Sequence, residues 1–207
     1  MTQIRAICGQ SYSHFEEAWK MNFQQLSGLL VMLLSVNVAL FAAVGDALQV
    51  GNTAPSFVAN DQDGNLWKFA DHLGKGYLVV YFYPAAMTGG CTKQACSYRD
   101  QKSGFDGMRV EVVGISGDPV KNLKYFQEAN HLNFTLLSDV SGEIANKFGV
   151  PMGEGGVITR NIDGQDKELA RMYTISRWTF VIDPQGKVAY KDAEVNAAED
   201  SQKVMDF

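Results

Sequence analysis

The chain has 207 residues, is 46% hydrophobic and carries a formal net charge of -5. That suits one globular domain with a leader, and an acidic balance with no basic block argues against a nucleic-acid partner. Three cysteines, Cys8, Cys91 and Cys96, are too few for a disulfide scaffold.

Residues 1–20 are mixed and polar, without a clear period. From Met21 to Gly45 there is no charged residue, and Leu29 to Val44 is a nearly continuous apolar run. It is slightly longer than a usual signal-peptide core and slightly short for a membrane span. Ala43-Val-Gly45 and Gly45-Asp-Ala47 both suit a signal-peptidase site. Residues 1–47 are therefore read as a leader, a secretory signal peptide with a membrane anchor as the alternative, and 48–207 as an exported domain, periplasmic or secreted. Arg5 and Lys20 are offset by Glu16 and Glu17, and a start at Met21 would make the leader more ordinary.

Gln49 to Phe57, with Gly51 and Pro55, reads as an extended entry to the domain. Asp61-Gln-Asp-Gly64 is a turn, and Leu66 to Phe69 a short strand. Tyr77 to Tyr83 is uncharged and rich in β-branched and aromatic residues, which predicts a strand buried on both faces. Pro84 ends it and stiffens the loop. Gly89 and Gly90 allow a tight turn, and Lys93, Gln94 and Ala95 are good helix formers. Cys91 is thus placed in the first turn of a helix, where unpaired N–H groups and the helix dipole favour a thiolate over a thiol. Thr88, three residues earlier, is close enough to orient a substrate or the sulfur. The bland alternative is a structural cysteine buried after a strand.

Val110 to Ile115 predicts a second apolar strand. Asp118 as N-cap and Pro119 at the first helical position start a helix, with Leu123, Phe126 and Ala129 as its apolar stripe. Phe134 to Leu137 is a strand, and Ser141 to Phe148 a short helix closed by Gly149. The alternation gives an α/β chain, a central mixed sheet flanked by helices. Gly153 to Asp166 reads as a surface loop, since Gly153-Glu-Gly-Gly156 lacks the lysine and hydroxyl residue of a phosphate cradle. Arg177 to Tyr190 is a hairpin whose first strand begins at Arg177, with Asp183-Pro-Gln-Gly186 as a type I turn. From Glu194 the chain is a polar helix or tail without a motif.

Pro84-x-x-x-Thr88-x-x-Cys91 resembles the active-site motif of the peroxiredoxins, the alkyl hydroperoxide reductase and thiol-specific antioxidant superfamily. Cys96, five residues on, and Ser97-Tyr98-Arg99-Asp100 resemble the bacterioferritin comigratory protein or Q-type subgroup. The resemblance runs from about Val50 to about Tyr190. It implies a thioredoxin-like fold and a peroxidase acting on hydrogen peroxide and organic hydroperoxides. It implies Cys91, Cys96, Thr88, Pro84 and Arg177 as catalytic residues, a thioredoxin-like reductant, no metal, flavin or haem, and a monomer or homodimer. Gln94 departs from the glutamate often found in the subgroup and is assigned no role. Arg99 matches a common subgroup arginine, although a helix salt bridge explains it equally.

In that chemistry a thiolate attacks the peroxide O–O bond in line and becomes a sulfenic acid. Arg177 and Thr88 are the candidate donors to the charge that develops on the oxygens, and Arg177 also favours the thiolate. Cys96 then attacks the sulfenic acid, closing an intramolecular disulfide that a thioredoxin-like donor reduces. Five residues of regular helix turn about 500° and leave the Cα atoms roughly 8.6 Å apart. A disulfide needs them within about 7 Å, so the helix must open in each cycle. Two other readings compete. A dithiol–disulfide oxidoreductase leaves Pro84 and Thr88 without a role, and four residues rather than two separate the cysteines. A copper-binding module would use the cysteines with His72 or His131, although His131 reads as a residue at a helix end.

Overall fold

The structure, a computed structural model, describes residues 47–207. The leader, Cys8 and the question of the start site lie outside the described residues. The uncharged run forms β3 (Tyr77–Phe82) at the middle of a seven-stranded sheet. β3 pairs in parallel with β4 (Val110–Ser116), and β4 in parallel with β5 (Thr135–Ser138). On the other side, β8 (Thr179–Ile182) runs antiparallel to β3, and β9 (Val188–Asp192) antiparallel to β8. Beyond β5, a hairpin of β1 (Val58–Asp61) and β2 (Leu66–Lys68) completes the order β2-β1-β5-β4-β3-β8-β9. Phe69, expected at the end of β2, instead opens a 3-10 turn, Phe69–His72.

Both faces of β3 are covered, as an unbroken apolar run requires. Leu78, Val80 and Phe82 join one core with Phe57, Phe148 and Phe180. Val79, Tyr81 and Tyr83 join the other with Tyr98, Phe105 and Phe126. Gly114 faces Tyr81 across the β3–β4 pair, and a Cβ there would lie 2.6 Å from the tyrosine ring. A glycine inside a strand is needed where a neighbour approaches this closely. The helices are α1 (Gly89–Asp100), α2 (Lys102–Gly107), α3 (Val120–Asn130), α4 (Glu143–Phe148) and α5 (Asp200–Asp206). Among the described residues, no helix is long and apolar enough to cross a membrane.

Four further expectations need correction. Gly153 to Asp166 is not a loop: Met152–Ile162 is β6 and pairs antiparallel with β7, Gln165–Ile175. Asp163 and Gly164, both at positive φ, make the two-residue connection that Asp-Gly favours. The glycines obscured an alternation in which Ile158, Arg160, Ile162, Leu169 and Arg171 share the inner face. Second, α3 starts one residue later than expected, with Pro119 in extended conformation as its N-cap. The Asp118 carboxylate is drawn instead to Ser116, Ala86 and Asn122. Third, Ala129 is exposed, and the buried stripe is Asn122, Leu123 and Phe126. Fourth, Arg177 precedes β8 rather than beginning it.

Candidate active site

Cys91 lies in the first turn of α1 and is 2% exposed. Thr88 is the N-cap, and the first helical bond joins the Thr92 N–H to the Thr88 carbonyl at 2.8 Å. Gly89, Gly90 and Cys91 therefore occupy the turn whose N–H groups precede the ladder, at the positive end of the helix. The strand-to-helix connection puts this turn at the carboxyl end of β3, where ligand sites in α/β sheets collect.

Arg177 reaches the sulfur from the segment just before β8. Phe82 N–H donates to the Trp178 carbonyl at 2.7 Å, which carries the neighbouring Arg177 to the end of β3. Its Nη2 lies 3.3 Å from Cys91 Sγ, and its Nη1 donates to Gln94 Oε1. Cys91, Thr88 and Arg177 thus meet at one helix end, although 86 residues separate the cysteine from the arginine.

The loop between Pro84 and Thr88 is held at several points. The Thr88 hydroxyl donates to the Ala85 carbonyl at 2.9 Å. Its proton is engaged there, so its lone pairs are what it offers a substrate. Ala86 N–H donates to Asp118 Oδ2 at 2.8 Å. Arg160, on the inner face of the β6–β7 hairpin, donates from Nε to the Met87 carbonyl at 2.8 Å. Met87 has φ 61°, left-handed for a residue with a side chain, so it needs such support.

Cys96 lies further along α1, half-buried, and both cysteines are free thiols. Arg99 bonds its neighbour Asp100 at 2.8 Å and the Asn130 carbonyl at 2.6 Å, which fits the salt-bridge reading. The residues that sequence reasoning missed lie behind Arg177. Gln94 is fully buried, and its Nε2 donates to Asp200 Oδ2 at 2.6 Å. Asp200 also takes the Tyr98 hydroxyl at 2.7 Å and the Thr179 hydroxyl at 2.9 Å. Burial raises the Asp200 carboxyl above its ordinary range. Burial, then the Asp200 charge, pushes the Tyr98 hydroxyl well above its own, so it stays a donor. Nothing in the polar tail marked Asp200, because its partners lie up to 106 residues away.

The histidines weighed for copper are used otherwise. His72 bonds Glu111 at 2.7 Å and stacks on Trp67, and His131 is an exposed C-cap of α3. Among the described residues, no group of three or more His, Cys, Asp or Glu is placed to hold a metal.

The AhpC/TSA family model matches residues 50–191. The chain is 41% identical over 143 residues to peroxiredoxin Bcp of Escherichia coli, covering 69% of this chain and 84% of that one. Among solved structures it resembles peroxidoxin BcpB from Mycobacterium tuberculosis, with a TM-score of 0.64 and 36% identity over 77% of this chain and 95% of that one. It also resembles the bacterioferritin comigratory protein of Xanthomonas campestris, described for its alkyl peroxide reduction activity. The TM-score there is 0.61 and the identity 26%, over 78% of this chain and 96% of that one.

Proposed function

The chain belongs to the AhpC/TSA family and is a peroxiredoxin, a thiol-dependent peroxidase; from that premise we propose that Cys91 is its attacking thiolate and Cys96 the thiol that resolves it. The observation that carries this reading is the guanidinium of Arg177 3.3 Å from the Cys91 sulfur at a helix amino terminus. The thiolate takes the terminal oxygen of the peroxide, the O–O bond breaks, and an alcohol or water leaves with a proton. Arg177 donates to the oxygens as charge builds on them. The Thr88 oxygen accepts a hydrogen bond from the hydroperoxide O–H, which stays on the transferred oxygen, and so aligns the bond, and Pro84 keeps the loop rigid and free of a competing donor. The Cys96 thiolate then displaces hydroxide from the sulfenic acid, forming the 91–96 disulfide and, with a proton, water. A thioredoxin-like dithiol returns both thiols.

The test is peroxide-dependent oxidation of a dithiol donor. Wild type turns over, Cys91→Ser does not, and Cys96→Ser reacts once without recycling by that donor. Peroxidase activity retained in Cys91→Ser would reject the assignment. The apolar run from Leu29 to Val44 supports an exported enzyme, whose reductant would be an exported or membrane-tethered thioredoxin-like protein. Cell fractionation that finds an uncleaved chain in the cytosol would reject that location.

A further inference from the structure

Behind Arg177 stands a carboxylate that the peroxidase reading does not use. Asp200 opens α5 and is 0% exposed. Its Oδ2 gathers three donors, from Gln94 and Tyr98 on α1 and from Thr179 on β8. Its Oδ1 is buried with no hydrogen-bond partner among the described residues. A carboxylate leaves water only where donors replace it, and here all of them converge on the oxygen that faces the active-site helix.

The donor and acceptor inventory decides what this does to Gln94. A primary amide has one accepting end and one donating end, and a guanidinium only donates. With Arg177 at its Oε1 and the Asp200 oxygen at its Nε2, the buried Gln94 has one orientation that satisfies both. Resting on the roles given above to Cys91 and Arg177, we propose that Asp200 is a positioning residue for the peroxide reaction. It fixes the Gln94 amide so that the carbonyl oxygen holds Arg177 against the Cys91 sulfur. Without that anchor the amide can turn, and a turned amide points N–H groups at a guanidinium that has nothing to accept them. Asp200 touches neither sulfur nor substrate and acts only through Gln94 and Arg177.

The full chain carrying Cys8→Ser and Cys96→Ser leaves Cys91 as its one thiol. Two quantities are read in it: the fraction of Cys91 present as thiolate near neutral pH, from its ultraviolet absorbance, and the rate constant with hydrogen peroxide. Asp200→Leu removes the acceptor, which an asparagine carbonyl would keep; it should lower the thiolate fraction and slow the reaction about 10-fold, the scale of losing an outer-shell partner. Adding Gln94→Glu to it supplies a carboxylate at position 94. Both of its oxygens accept, so it takes the Arg177 bond without an anchor at position 200 to orient it. This double variant should recover to within about 3-fold of the parent, a non-additivity that independent sites do not show. Tyr98→Phe takes a donor from Asp200 but leaves Gln94 its bond. It should lower the melting temperature and leave the thiolate fraction unchanged.

An Asp200→Leu protein with the parent's thiolate fraction and rate would overturn the proposal. So would a double variant as slow as the single one, or a Tyr98→Phe protein as slow as Asp200→Leu. Should Asp200→Leu fail to fold, Tyr98→Phe decides alone: a lower melting temperature with the parent's thiolate fraction supports the proposal, and a reduced thiolate fraction overturns it. Thiolate absorbance is read without peroxide, so it judges Asp200 even if the Cys91→Ser comparison rejects the peroxidase assignment.

Discussion

Cys91 is held from its two sides by different kinds of bond. On the amino side, the loop from Pro84 to Thr88 is gripped at its backbone. The Ala86 N–H is taken by Asp118, the Met87 carbonyl by Arg160 and the Ala85 carbonyl by Thr88, all within 2.9 Å. On the carboxyl side, α1 is gripped by its side chains. Gln94 and Tyr98 reach Asp200, and Ser97 meets Ser201. Bonds to the backbone fix the path of a chain, whereas bonds to side chains leave the backbone free once they open. The loop is therefore the fixed jaw of the site and the helix the movable one. The proposed 91–96 disulfide would demand this division, because cysteines five apart on a regular helix sit roughly 8.6 Å apart at Cα and cannot join.

The largest effects come from the point where the two sides meet. Cys91→Ser should abolish peroxide turnover in a coupled dithiol assay. Arg177→Ala should slow the peroxide reaction by roughly two to three orders of magnitude, the scale of one lost transition-state donor. It should also reduce the thiolate fraction of Cys91. An unchanged rate would leave Arg177 only a structural partner of Gln94 and dissolve the comparison.

Breaking the fixed side should be felt first as lost stability. Asp118 is fully buried and accepts from Ala86, Ser116 and Asn122. Asp118→Ala leaves those donors without their acceptor and should lower unfolding stability by about 3 kcal/mol, read from a denaturant midpoint. Arg160→Ala removes one charge-assisted bond from Met87 and leaves the core intact. A loss of about 10-fold in the peroxide reaction, with little change in melting temperature, is the expected result. No change in rate would show that the β6–β7 hairpin does not brace the loop.

The smallest effect sharpens the movable side through pH. Burial raises the Asp200 carboxyl above its value in an unfolded chain, about 4. Its contribution to stability is therefore full below that value and is lost as pH rises through the raised one. Wild type should lose stability relative to Asp200→Asn between acid and neutral pH, as melting temperatures at a series of pH values would show. The opposite trend would mean that the three donors outweigh burial.

Much of this frame was legible in the residues, for physical reasons. An uncharged run such as Tyr77 to Phe82 has few places other than the middle of a covered sheet. Pro84, Thr88 and Cys91 lie within eight residues, so their relation survives in sequence. The β6–β7 hairpin was missed because glycines hid a two-residue period that Asp163-Gly164 should have announced. The role of Asp118 was misread because an acid beside a helix start looks like a cap, and only the folded loop shows Ala86 waiting for it. Asp200 was invisible: an acid in a polar tail gains meaning only when Gln94, Tyr98 and Thr179 converge on it from distant elements.

The division between a fixed loop and a movable helix is tested most directly by amide hydrogen exchange in the reduced protein and in the protein with a mass-confirmed 91–96 disulfide. The expected result is faster exchange across residues 91–98 after oxidation, with the Ala86 amide equally protected in both states. Equal protection of residues 91–98 in the two states, or loss of protection at Ala86, would contradict it.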